Sequence, residues 1–110
     1  MAFTGNEDHS ISLQDAAVLT KNYRDSQTTL DYIKGEFFGK QSILNILNQA
    51  NCVGIRVYYG VENDAGINTP HLVICGATSD ENDMENGLLA EKGMTLPPSN
   101  TLNNSLNSTI

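Results

Sequence analysis

The chain has few basic residues and no long apolar run. Six Lys and Arg stand against thirteen acidic residues, which gives a net charge of -7. So little positive charge cannot neutralise phosphates, which argues against sequence-independent binding of nucleic acid or of an anionic membrane. No apolar segment approaches the roughly 20 residues that cross a bilayer, so no membrane span is expected. The first eight residues carry two acids and no apolar stretch behind a basic start, which predicts no secretory signal and a cytoplasmic location.

Cysteine is also scarce. Cys52 and Cys75 are the only two, without Cys-x-x-Cys spacing, and this usage indicates a reducing compartment. Both lie in apolar sequence, where a free thiol behaves as a small buried hydrophobe. A disulfide across neighbouring strands is the alternative. The two Cys and two His residues lack zinc-ligand spacing, so no metal and no other cofactor is expected.

The length of 110 residues allows one domain. Leu, Ile, Val and Phe number 27, which is enough for a modest core. We divide the chain into a polar lead-in at 1–9, a single domain at 10–96 and a polar carboxyl-terminal tail at 97–110. By composition, the tail is expected to be flexible.

Two segments have helical periodicity. Ser12 followed by Asp15 resembles a capping box, and apolar residues recur at helical spacing as far as Tyr23, which predicts a helix ending near Asp25. A stronger apolar stripe predicts a second helix from about residue 39 to between 48 and 51, packed on a sheet. Residues 30–38 are ambiguous between a short strand and an extended arm.

Two further segments predict an antiparallel hairpin. Residues 52–60 alternate, with Tyr59 on the face of Val53, Ile55 and Val57, and with Arg56 and Tyr58 on the other. Residues 71–78 are apolar on both faces, and turn-forming residues at 62–66 separate the two runs. Pairing Val53 with Ile74 places Cys52 opposite Cys75 and Arg56 opposite His71, although registers shifted by two keep the same faces together. The predicted class is α+β, with two helices packed on a small antiparallel sheet centred on this hairpin.

The second helix can cover one face of this hairpin, and the opposite face needs a cover of its own. That face carries Tyr58, Val73, Cys75 and Ala77. The first helix, a third strand from residues 32–38 and another copy of the chain are all candidates, because a two-stranded hairpin alone is marginal in water.

Several motifs that suggest chemistry fail on spacing. Gly35 to Ser42 departs from a phosphate-binding loop, because three residues separate the glycines and Gln41 follows Lys40. The acidic loop 80–85 has oxygen ligands that calcium prefers, without EF-hand order, and a solvated turn is the simpler interpretation. His71 and Cys75 share a strand face about 13 Å apart, too far for a nucleophile and its base.

Four segments carry a resemblance to a known group. Lys21 to Arg24, Phe37 to Lys40, Cys52 to Gly60 and Asp80 to Met84 resemble segments of a group of small bacterial proteins of unknown activity. The likeness covers roughly residues 11–98 and is most specific at Cys-Val-Gly-Ile-Arg. Relatives often carry Cys-Pro-Pro where this chain has Leu96-Pro97-Pro98. The resemblance implies bacterial origin and a compact domain, and brings no catalytic residue or cofactor.

These observations favour a non-enzymatic interaction or assembly module whose partner is a protein, either itself or another. The candidate interface residues are Arg56, Tyr58, Tyr59, Val73 and Cys75, since Tyr and Arg are common interface anchors. One alternative is a small enzyme or ligand-binding domain with a pocket near the hairpin, lined by Arg56, Tyr58 and His71. Another is an acidic regulatory or inhibitory partner of a basic protein, whose complex would depend strongly on salt.

Overall fold

The computed structural model describes residues 2–28, 32–98 and 101–108 and confirms the α+β class. The elements, in chain order, are α1 (Leu13–Asp25), β1 (Gly35–Phe37), α2 (Lys40–Leu47), β2 (Cys52–Asp64), β3 (Ile67–Thr78), β4 (Leu89–Ala90) and β5 (Met94–Leu96). One antiparallel sheet has the order β2-β3-β4, and a second contains β1 and β5. Within the described ranges, no helix is both long enough and apolar enough to span a bilayer.

Both predicted helices form. The N–H of Asp15 donates to Ser12 Oγ at 3.0 Å, which caps the first turn of α1 as the capping pattern predicts. No residue of α1 is buried. The second helix packs against β2, β3 and β4, and its Ile46 is the most deeply buried large side chain of the described core.

The ambiguous segment 30–38 contains β1, which pairs with β5 rather than joining the sheet of the hairpin. Residues 30 and 31 of that prediction lie outside the described residues, as do residues 99, 100, 109 and 110 of the predicted tail. The described tail is tied to the domain, because Arg24 Nη1 donates to the carbonyl of Leu106 at 2.8 Å and Lys34 Nζ to that of Asn107 at 3.0 Å.

The hairpin forms, but the predicted register is wrong by four residues. Val57, rather than Val53, lies opposite Ile74, and Cys52 lies opposite Thr78. Both cysteines are free thiols, so the cross-strand disulfide is not formed.

The cause of this shift is a two-residue turn. Ala65 and Gly66 both have positive φ, at 52° and 84°, which is the conformation of the tight turn that suits a twisted hairpin. The strands therefore extend to Asp64 and from Ile67, and this sets Gly60, not Arg56, opposite His71. Because the shift is even, the predicted division of side chains between the two faces survives from residue 55 onward.

The core is small. Buried hydrophobic residues, among those that the structure describes, are Ile46, Ile74, Cys75 and Ala77. They lie where α2 crosses the base of the hairpin. The outer half of the hairpin has no such cover.

Candidate functional site

A polar cluster lies on one face of the hairpin base. Arg56 Nη1 is 2.7 Å from Asp83 Oδ1 and also donates to the carbonyl of Glu81 at 3.2 Å. The hydroxyl of Tyr58 donates to Asp83 Oδ2. Asp83 reaches this position because its backbone bridges to Ala77 beside β3. The cluster joins two predicted interface residues to Asp83, which the sequence marked only as part of the acidic loop 80–85.

Hydrogen bonding and charge fix the protonation states in this cluster. The Tyr58 hydroxyl, followed by the Arg56 guanidinium, lowers the pKa of Asp83 below its usual value. The same hydrogen bond to a carboxylate raises the pKa of Tyr58. Burial, reinforced by the negative charge of Asp83, raises the pKa of the Cys75 thiol. Cys75 is therefore a poor nucleophile at neutral pH, because the reactive form of cysteine is the thiolate.

The lead-in covers the same face. The Arg56 guanidinium lies 5.4 Å from the centre of the Phe3 ring, and the N–H of Phe3 donates to the carbonyl of Ser79 at 3.0 Å. The lead-in and Asp83 therefore cover the face for which the sequence offered the first helix, a third strand or a second copy as candidate covers. Cys75 is only 4% exposed. Its predicted role in an interface, like that of the half-buried Val73 opposite Tyr58, stays a prediction.

An apolar row occupies the other face of β2. Ile55, Val57, Tyr59 and Val61 alternate along the strand and share the face of Ile74. All four are exposed, and Tyr59 is 95% exposed. The eight residues of α2 span about 12 Å at 1.5 Å each, whereas the thirteen of β2 extend about 43 Å at 3.3 Å each. The helix therefore covers only the base of the strand. We call these four residues the apolar row.

The chain as a whole exposes more surface than a globule of its mass. A folded monomer of 11.9 kDa exposes about 6,000 Å², and this chain exposes 8245 Å². Its radius of gyration is 15.8 Å, against about 13 Å for a compact domain of this length. The excess is roughly 2,200 Å², larger than the approximately 800 Å² that each partner buries in a standard protein interface.

A cavity of about 410 Å³ separates α1 from the middle of the hairpin. Its wall is mostly apolar and includes Leu19, Tyr23, Ile33 and Leu72. His71 lines this cavity, whereas Arg56 and Tyr58, which the ligand-binding alternative placed with it, do not.

A buried acid lies beside this cavity. Glu36, whose side chain is 3% exposed, accepts the N–H of Leu72 at 2.6 Å, and its other carboxylate oxygen lies 3.5 Å from Nδ1 of His71. Nε2 of His71 lies 3.7 Å from Glu62. No sequence signal marks Glu36 as a partner of His71, because 35 residues separate them.

The described residues contain no group of three or more His, Cys, Asp or Glu side chains arranged to hold a metal ion. In the acidic loop 80–85, Asp83 is paired with Arg56 and Tyr58.

Comparisons of the chain with protein-family models, curated proteins and solved structures found no match. The resemblance to small bacterial proteins stays a prediction. The functional conclusion therefore depends on the geometry of the molecule.

Proposed function

We propose that the chain is a non-enzymatic self-assembly module, in which the apolar row of one copy is buried by a second copy. The excess of exposed surface carries this proposal, because folding alone leaves roughly 2,200 Å² more surface in water than a globule of this size. Exposed apolar patches of more than a few hundred Å² are rare in monomers and mark interaction sites. A second copy is the occupant that requires no other protein.

The charge of the chain fits association through this row. Each copy has a net charge of -7, so two copies repel one another unless their acidic residues lie outside the contact. The apolar row carries no ionisable group apart from the Tyr59 phenol. Charged residues are depleted at the centres of interfaces, where Tyr is enriched. The free thiols of Cys52 and Cys75 support a reducing compartment such as the cytoplasm.

The test is the mass in solution by sedimentation equilibrium, comparing wild type with Val61→Lys and Ile67→Lys. Val61 lies in the apolar row and is 69% exposed; Ile67 is 68% exposed but points to the other face. A lysine at Val61 loses hydration in the interface, so we expect the dissociation constant of the dimer to increase at least tenfold. Ile67→Lys, the matched control, should leave it unchanged. A wild-type mass of 11.9 kDa at all concentrations contradicts the proposal.

The cavity supports a second candidate function, the binding of a small apolar molecule. Its volume of about 410 Å³ lies in the range of ligand pockets, which are mostly apolar with a few polar groups that fix orientation. The His71 and Glu36 pair supplies such groups. The probe is indole, followed by NMR chemical shifts of the amides of Leu19, Ile33 and Leu72. Saturable shifts that a cavity-filling Leu19→Trp variant abolishes support this function, and shifts that persist in Leu19→Trp contradict it.

A further inference from the structure

The turn determines which backbone groups of β2 point away from the sheet. Asp64 and Ile67 flank the two turn residues and pair directly, so they exchange hydrogen bonds. Bonded and non-bonded pairs alternate along an antiparallel ladder. Even-numbered residues of β2 therefore bond to β3, and odd-numbered ones direct their N–H and C=O outward. Pro70, which has no N–H to donate, lies opposite Val61, at a position where no bond to β2 is needed.

This outer edge is open. Ile55, Val57, Tyr59, Val61 and Asn63 direct their amides and carbonyls to it, and no backbone hydrogen bond between described residues uses these groups. β2 is the first strand in the sheet order and has β3 as its single neighbour there. The lead-in approaches the edge at Val53, where a Cβ on Gly5 would stand 2.8 Å from the carbonyl oxygen. That contact precedes the open stretch, and a cavity of about 390 Å³ lies between Glu7 and His9 of the lead-in and the start of that stretch at Ile55.

An open edge of this length and apolarity is a template for another strand. Along its open stretch it lacks several of the usual protections, and its two charged side chains, Arg56 and Glu62, have opposite signs. No lysine lies between residues 54 and 64, no proline interrupts β2, and its one register shift lies at its beginning, between Cys52 and Gly54. The same residues that point their backbone outward also form the apolar row. Pairing therefore satisfies the hydrogen bonds of the edge and places the apolar rows of the two copies side by side on one face of the joined sheet.

We infer that two copies of the chain pair antiparallel along the outer edges of β2, about a two-fold axis at Tyr59, which joins two three-stranded sheets into one of six. This inference rests on the proposed function and specifies its geometry. Tyr59 then lies opposite Tyr59 of the second copy, and Val57 lies opposite its Val61. The free backbone groups of residues 55–63 are paired.

Length and charge select this register. Centring on Tyr59 pairs residues 54–64 completely, from the register shift to the turn, and any other centre leaves part of the edge open. It also places Arg56 opposite Glu62 of the second copy, twice by symmetry. Opposite charges at directly facing positions stabilise a strand pair, and like charges destabilise it.

The test is disulfide trapping in single-cysteine-addition variants, oxidised with copper phenanthroline and analysed on non-reducing gels. At the two-fold axis, Tyr59→Cys brings two Cα atoms to about 5.5 Å, within the range that a disulfide bridges. Val57→Cys alone should not cross-link, because two copies of residue 57 lie four residues apart along the pairing. A mixture of Val57→Cys and Val61→Cys should cross-link. Wild type controls for Cys52 and Cys75.

The mass of each variant under reducing conditions separates the two proposals. A dimer that cross-links at Tyr59→Cys and in the mixture, but not at Val57→Cys alone, supports the edge pairing. If the protein is a dimer but neither Tyr59→Cys nor the mixture cross-links, the edge pairing is overturned and self-assembly stands. A wild type that is monomeric under the same conditions overturns both. Cross-linking at Val57→Cys alone overturns the register.

Discussion

Replacing Ile46 by Ala tests the small core most severely. Ile46 is 2% exposed and lies where α2 packs against the three-stranded sheet. The substitution removes three buried carbon atoms, worth about 2.4 kcal/mol at roughly 0.8 kcal/mol each. The cavity left behind brings the cost to about 3–4 kcal/mol. That is a large fraction of the stability of a small domain.

The measurement is urea unfolding at one fixed protein concentration, with Leu47→Ala as the matched control. Leu47 is the next residue of the same helix but is 37% exposed, so its truncation should cost about 1 kcal/mol. With a urea dependence of about 1.5 kcal/mol/M, Ile46→Ala should lower the unfolding midpoint by roughly 2–2.7 M. Equal effects of the two substitutions would refute the assignment of Ile46 to the core.

Three further predictions concern the base of the hairpin. Gly76→Ala should lower the free energy of unfolding in urea by about 1–3 kcal/mol, because two sulfur atoms lie 3.0 Å from where its Cβ would stand. Gly35→Ala is the control and should cost less, because its Cβ would meet nothing within 4 Å. The pKa of Asp83 is lowered in the folded state, so its contribution to stability is present above its unfolded pKa of about 3.9 and is lost as the pH falls through the folded pKa. The difference in unfolding free energy between pH 7 and pH 3 should therefore be smaller in Asp83→Asn than in wild type. An unchanged difference contradicts the pairing of Asp83 with Arg56 and Tyr58. Iodoacetamide should modify the partly exposed Cys52 well before the buried Cys75, whose thiol pKa is raised, and equal rates by mass spectrometry would exclude that burial.

Local signals were sufficient for the two helices and the two strands of the hairpin, whereas β4 and β5 were not predicted. The cap at Ser12 and the apolar spacing around Ile46 depend on neighbours within one turn of helix, so the sequence alone predicts both helices. Alternation along residues 55–59 likewise predicts that Tyr58 and Tyr59 lie on opposite faces, as they do. These features follow from the period of each element.

The register needed information that the alternation does not contain. Residues 62–64 are polar and read as a turn, yet they continue β2 because Ala65 and Gly66 make the turn alone. A strand that projects beyond the core exposes both of its faces, so its tip shows no apolar pattern.

The candidate site could be predicted only in part. Arg56, Tyr58 and Tyr59 were identified by residue type and position. Their surroundings depend on contacts between distant segments, such as Asp83 with Arg56, 27 residues apart, and Phe3 beneath the same guanidinium. No periodicity in one sequence encodes such contacts.

The central claim is that the surface one chain leaves exposed is buried by a second copy. Urea unfolding of wild type over a hundredfold range of protein concentration tests it most directly, because dissociation accompanies unfolding of a dimer. The account predicts that the midpoint rises with concentration, by the equivalent of about 2.7 kcal/mol per dimer across that range. A midpoint that is independent of concentration, together with a monomeric mass, would contradict it.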